Sequence, residues 1–253
     1  MKKPFKIVGI SIITLLFLGV VSFLIWANTP AAPEPYALES LASTEAVGFD
    51  KRDPWLVFTP MRSDPEVGLI LYPGGRVDAR AYAPHAQSIA AAGYKVVIVR
   101  MPLNLAFFGQ NRANAVIEAY PGISQWVIGG HSLGGAMAAE FAASNPELIS
   151  GLVLWASYPA QSNDLSDTGL PVLSVYASND GLATIDKIED ARDNLPADTR
   201  FIEITGGNHA GFGWYGAQQG DGPLEITPRD QQDQVVKATV TFLAEQRLAE
   251  GEE

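Results

Sequence analysis

The sequence contains no cysteine. Disulfides, thiolate catalysis, cysteine–zinc sites and a lipidated cysteine anchor are therefore excluded. Histidine is almost as scarce: His85, His131 and His209 are the only three in 253 residues. Positive charge is also short, with 17 Lys and Arg against 28 Asp and Glu and a net charge of −11. That balance argues against nucleic acid or an anionic membrane surface as a partner of the globular part. Solubility accounts for the acidity, which says little about substrate. Internal repeats are absent. The charged fraction of 18% and hydrophobic fraction of 47% are those of a globular chain, not a disordered one.

Long hydrophobic runs are limited to one. Lys2, Lys3 and Lys6 precede an uncharged stretch over residues 7–27, and the next charge is Glu34. Such a run reaches about 30 Å as a helix, the thickness of a bilayer core. Trp26 falls where an interfacial aromatic belongs, and lysines before the run with none soon after place the N-terminus inside. Residues 1–27 are therefore expected to form an uncleaved signal-anchor, a single transmembrane helix with the rest of the chain outside the cytoplasm. A cleaved signal peptide competes, but its apolar part is usually shorter, about 7–15 residues, and Thr29-Pro30-Ala31 is a poor cleavage site. Pro30, Pro33 and Pro35 mark residues 28–40 as an extended linker, and residues 28–50 as a whole as linker and lead-in.

Residues 51–253 are long enough for one well-buried domain. Near-continuous apolar runs at 55–59, 67–72, 95–100, 125–128, 151–155, 171–176 and 200–204 read as strands. Between them, residues 78–92, 109–120, 133–144, 185–194 and 231–247 read as helices, the first capped by Gly93. Buried strands alternating with helices mean a mostly parallel sheet covered on both faces. Only a short connection joins the strands at 151–155 and 171–176, too little for a lid domain, so the pocket should be open.

The chemistry is concentrated at Gly130-His131-Ser132-Leu133-Gly134. A strand precedes it and a helix follows at once, so Ser132 is presented on a tight turn at a helix N-terminus, where negative charge is favoured. A plain capping serine is the bland alternative. A serine nucleophile needs a base and the base a carboxylate. His209 lies directly after the last strand, at the sheet end where such groups gather. His131 is the neighbour of Ser132 and is expected to point away from it, and His85 lies within a helix. Asp180, in Ala177-Ser178-Asn179-Asp180-Gly181, follows the 171–176 strand and is the expected acid. Asp164, Asp167 and Asp186 are rivals, and a turn aspartate is the alternative. The backbone N–H of Leu133 and one from Pro73-Gly74-Gly75-Arg76 are the candidate donors to an oxyanion. Asp221, in Gly220-Asp221-Gly222, reads as a turn residue and not as a metal ligand.

The order Ser132, Asp180, His209, with Tyr72-Pro73-Gly74-Gly75 upstream, resembles the α/β-hydrolase superfamily. Tyr72 to Val77 and Asn208 to Gly216 are more narrowly similar to bacterial lidless hydrolases of the dienelactone-hydrolase-like group. The resemblance implies an α/β-hydrolase fold, no cofactor and a small-molecule acyl substrate. Aligning Pro73 with the histidine usual in that loop implies Gly75 as the second oxyanion donor, with Gly74 and Arg76 one step away. Dienelactone hydrolases use cysteine, so a dienelactone substrate is not implied. The function expected is a serine hydrolase of carboxylic esters or related acyl groups, carried on a bacterial cell membrane and facing outward. A non-catalytic membrane-tethered binding module on the same fold is the alternative.

Overall fold

The computed structural model describes the backbone of residues 3–249 and the side chains of residues 11–246. Eight strands form one sheet: β1 (Val47–Arg52), β2 (Trp55–Pro60), β3 (Val67–Tyr72), β4 (Lys95–Val99), β5 (Gln125–His131), β6 (Gly151–Trp155), β7 (Val172–Ala177) and β8 (Arg200–Ile204). Their order is β1-β2-β4-β3-β5-β6-β7-β8. β1 and β2 run antiparallel to their neighbours, and every pair from β4 through β8 is parallel. Among the described residues, seven α-helices accompany them: α1 (Lys3–Ala27), α2 (Pro35–Glu39), α3 (Ala83–Ala91), α4 (Ala113–Ala119), α5 (Leu133–Ser144), α6 (Ile185–Asp190) and α7 (Pro228–Ala249).

The alternation of side chains along each strand divides the core in two. Leu69 and Leu71 of β3 join Val96, Ile98 and Val153 beneath α3 and α7, which contribute Ala86, Ile89, Val235 and Phe242. Ile70 and Tyr72 turn the other way, toward Ala113 and Val116 of α4 and Ala138 and Phe141 of α5. All six residues of β3 are buried, because helices cover both faces. Each fully buried Leu or Ile contributes roughly 1.5–3 kcal/mol relative to exposure.

Three elements differ from their sequence expectation. β1 was not anticipated: it is a polar edge strand whose burial fades from Val47 outward, so it carries no apolar run. The helix expected over residues 78–92 opens as a 3-10 turn, Ala79–Tyr82, with Asp78 accepting from the Arg80 N–H at 2.9 Å. It becomes α-helical only with Ala83-Pro84, where the missing proline N–H costs nothing. The helix expected from residue 109 begins as an α-helix only at Ala113.

The lead-in expected as an extended linker over residues 28–40 instead contains α2 and is docked on the domain. Ala31 pairs with Val77, Glu34 N–H donates to the Trp214 carbonyl at 2.8 Å, and Ala37 of α2 is fully buried. The last turn of α1 is capped by the domain. Arg76 donates from Nε to the Trp26 carbonyl at 2.9 Å and from its terminal nitrogen to Thr29 at 2.8 Å. Asn104 donates to the Ala27 carbonyl at 2.9 Å, and the Arg76 guanidinium lies 4.4 Å from the Trp26 ring centre.

Among the described residues, no helix is long and apolar enough to cross a membrane. The transmembrane helix expected over residues 7–27 is therefore not supported by the described structure. Its side chains up to residue 10 lie outside the described residues.

Candidate active site

β5 ends in Gly130-His131, and α5 starts at Leu133, so Ser132 alone makes the reversal. It sits at φ 52° and ψ −125°, a conformation that costs a non-glycine residue about 1–3 kcal/mol. The surroundings hold it there: Ser132 N–H donates to the Trp155 carbonyl at 3.0 Å, and Ser157 Oγ donates to the Ser132 carbonyl at 2.7 Å. Gly134 is required because α5 enters against β3. A Cβ there would stand 2.7 Å from the Tyr72 carbonyl carbon.

Asp180 and His209 follow β7 and β8, which lie beyond β5 and β6 at the same end of the sheet. The structure brings them together. His209 Nδ1 lies 2.8 Å from Asp180 Oδ2, with the two side chains 1% and 0% exposed. The other carboxylate oxygen, Oδ1, accepts from the N–H groups of Leu182 at 2.8 Å and Ala183 at 2.7 Å. Asp164 instead accepts from Ser166 on an exposed loop. With its Nδ1 proton committed to Asp180, His209 keeps Nε2 as a bare acceptor. That nitrogen is buried and makes no hydrogen bond. His209 lines a cavity of about 290 Å³ together with Ser132, Leu133, Tyr158 and Leu182. Ser132 and His209 thus share one cavity without a hydrogen bond between them, a looseness common before substrate binds.

The loop after β3 supplies only one candidate amide. Gly74 N–H donates to Tyr82 Oη at 2.9 Å, and Arg76 N–H to the Asn104 carbonyl at 2.7 Å. The Gly75 amide has no such partner. Gly75 also faces the elbow: a Cβ added there would meet Leu133 Cδ2 at 3.1 Å. Gly75 therefore lies against the side chain of Leu133, the residue after Ser132.

Residues that sequence reasoning passed over complete the site. Asp221 is more than a turn residue. Its carboxylate accepts from the N–H groups of His209 (3.1 Å), Ala210 (2.8 Å), Gly181 (3.2 Å) and Gly222 (2.8 Å), tying the Asp180 loop to the His209 loop. Gln231, at the start of α7, brackets Asn208 by accepting from its N–H at 3.1 Å and donating to its carbonyl at 2.7 Å. His131 does point away from Ser132, as expected, but inward beneath His209, with ring centres 4.5 Å apart. Phe212 and Tyr215 pack around His131 and are buried. Burial, with His209 and His85 nearby, holds the His131 pKa well below the ordinary histidine value, although the His209 backbone works the other way. Burial likewise pushes the Tyr82 phenol well above its ordinary range. The only local signal for this layer was the scarcity of histidine itself. Among the described residues, no group of three His, Cys, Asp or Glu side chains could hold a metal ion.

The Alpha/beta hydrolase family matches residues 68–233, two thirds of the chain. No curated protein matches the sequence. Solved structures do match in fold. A predicted CIB-like hydrolase from Thermoplasma acidophilum is 16% identical, with 78% of this chain and 96% of that one covered at a TM-score of 0.58. The esterase domain of a Rhodothermus marinus protein is 12% identical, with coverage of 74% and 90% and a TM-score of 0.57. Est1E from Butyrivibrio proteoclasticus, solved with ferulic acid bound, is 11% identical, with coverage of 80% and 98% and a TM-score of 0.59. At such identities the likeness is one of fold. The matched span, the sheet order and the turn at Ser132 together place this chain in the alpha/beta hydrolase family.

Proposed function

We propose that this protein is a serine hydrolase that cleaves carboxylic esters through an acyl-enzyme. One observation carries the reading: the buried His209–Asp180 pair, joined at 2.8 Å, leaves Nε2 without a partner on a residue that lines one cavity with Ser132. Ser132 Oγ attacks the acyl carbonyl as His209 Nε2 takes its proton. Asp180 stabilises the imidazolium that results and fixes its tautomer. The N–H groups of Leu133 and Gly75 receive the oxyanion. His209 returns the proton to the leaving alcohol, and water then repeats the sequence to free the acid. Ala136, Ala156, Leu182 and Ala183 give the cavity an apolar wall suited to a modest acyl group. The esterases among the structural neighbours point the same way. The Tyr72–Val77 and Asn208–Gly216 segments support a dienelactone-hydrolase-like branch with serine in place of cysteine.

The same reading places the domain outside the cytoplasm, tethered to a bacterial membrane by residues 1–27. The uncharged run at 7–27 supports it. So does the exposure of Ile13, Leu15, Leu16 and Phe17 on α1, since a helix apolar all round calls for apolar surroundings.

Treatment of the full chain in detergent with a fluorophosphonate probe, beside Ser132→Ala and His209→Ala, tests the chemistry. Labelling of the parent alone is expected, followed by turnover of an ester panel. A folded parent that does not label would overturn the reading and leave a binding module on the same fold. Membrane fractionation with N-terminal sequencing tests the tether, and a mature start near residue 32 would overturn it.

A further inference from the structure

The hydrogen bonds around Tyr82 bear on a part of the site that the three proposed catalytic side chains do not explain. Tyr82 is fully buried in the 3-10 turn ahead of α3. Its Oη has two partners: Gly74 N at 2.9 Å and His131 Nδ1 at 2.8 Å. A phenol oxygen carries one proton. The Gly74 amide can only donate, so of the two partners only His131 Nδ1 is able to take the Tyr82 proton. With Nδ1 accepting, a neutral His131 carries its proton on Nε2, which is buried without a hydrogen-bond partner. The packing is tight around this link, since a Cβ on Gly74 would stand 2.8 Å from His131 Nδ1 and 3.0 Å from Tyr82 Oη. Gly74 precedes the proposed oxyanion donor Gly75, and His131 precedes Ser132. One hydroxyl therefore fastens the loop after β3 to the elbow after β5, one residue back from the working group on each side.

The position of His131 adds a second consequence. Its ring lies 4.5 Å from that of His209 at 46° and stacks on Phe212 at 12°. His209 becomes positive during the proposed reaction. A neighbouring histidine locked neutral neither competes for the serine proton nor repels the imidazolium. The groups facing His131 are His209, Tyr82, Phe212 and Tyr215, with His85 further off. Tyr82, Phe212 and Tyr215 cannot carry a positive charge, and burial disfavours one on His85.

We propose that Tyr82 and His131 are positioning residues, which hold the Gly75 amide at its working distance from Ser132 and keep an uncharged ring against His209. This rests on the serine-hydrolase reading. The test uses the full chain in detergent. Tyr82→Phe leaves the Gly74 amide without its acceptor and His131 without its donor. Removal of an oxyanion donor typically costs 10²–10³ in kcat. Displacing one should cost less, about 10–100-fold, with KM of a p-nitrophenyl ester within about threefold. Affinity for a boronic acid that mimics the tetrahedral intermediate should fall by the same factor as kcat. ¹⁵N NMR of the parent should show His131 as the neutral Nε2–H tautomer. His131→Asn can place an acceptor where Nδ1 was and should retain more activity than His131→Leu. That pair decides the matter if Tyr82→Phe does not fold. Activity of Tyr82→Phe within twofold of the parent, equal activity of the two His131 variants, or an Nδ1–H tautomer would overturn the proposal. A parent that fails to react with fluorophosphonate would instead overturn the hydrolase reading, while the tautomer measurement still decides whether the Tyr82–His131 bond exists.

Discussion

Asp221→Asn isolates the tie between the two loops that carry Asp180 and His209. In the native protein one carboxylate oxygen accepts from Gly181, His209 and Gly222, and the other from Ala210. Hydrogen bonds to a charged group contribute about 1.5–3 kcal/mol each, against about 0.5–1.5 for neutral ones. Asparagine keeps an oxygen for the first three and weakens each. At the fourth position it sets an NH₂ group against the Ala210 N–H, so that bond is lost and two donors oppose each other. Asp221 is only half-buried, so water softens the loss, and bonds on one atom do not add fully. A destabilisation of about 2–4 kcal/mol follows, less than the roughly 5–15 kcal/mol that holds a typical domain folded. For a chain of this size, each kcal/mol lowers Tm by about 2–4 °C, so a drop of roughly 4–16 °C is expected. The loosened His209 loop should also slow fluorophosphonate labelling, since about 1 Å of misplacement can cost 10²-fold. Thermal unfolding followed by tryptophan fluorescence and the labelling rate at one temperature measure both effects. A Tm within 2 °C of the parent together with an unchanged labelling rate would show that Asp221 does not hold these loops.

His85 is fully buried against Trp155 with both ring nitrogens unpartnered, and burial pushes its pKa down to about 3. The unfolded chain, with an ordinary value near 6.5, binds the proton first, so stability falls as pH drops from about 6.5 toward 3, by up to ~1.4 kcal/mol per unit. His85→Leu should leave Tm at pH 7 unchanged or higher and flatten its decline between pH 7 and 4; an identical decline would refute this. The two glycines near the elbow should separate folding from activity. Gly134→Ala forces a Cβ into the Tyr72–Pro73 backbone and should abolish soluble, folded protein. Gly75→Ala meets only the flexible Leu133 side chain. It should fold with near-parental Tm yet label at least about tenfold more slowly by crowding a donor, and parental labelling would remove Gly75 from the proposed oxyanion site.

The central sheet was legible because β3 to β7 are each buried on both faces, which writes an uninterrupted apolar run into the sequence. Ser132 and Asp180 stood out because each closely follows such a run, and His209 because it closely follows β8. β1 left no trace, since an edge strand needs pairing but little burial. Tyr82 and Asp221 were hidden for another reason. Tyr82 meets a histidine 49 positions away, and Asp221 meets the Gly181 amide 40 positions away. Each sits in a local setting, a helix start or a Gly-Asp-Gly turn, that already accounts for its residue type. The expectation that His131 points away from Ser132 carried no information about what would lie beneath the elbow.

The capping of α1 by Arg76 and Asn104 has a mechanical meaning. A domain on a free peptide string can swivel, and forces on its anchor dissipate in slack. Here the slack is gone, because the carbonyls of Trp26, Ala27 and Thr29 are all gripped by side chains of the domain. Arg76 is the next residue after Gly75. Any tilt or pull on the helix is therefore passed to Arg76 and Asn104, and Arg76 adjoins the proposed donor Gly75.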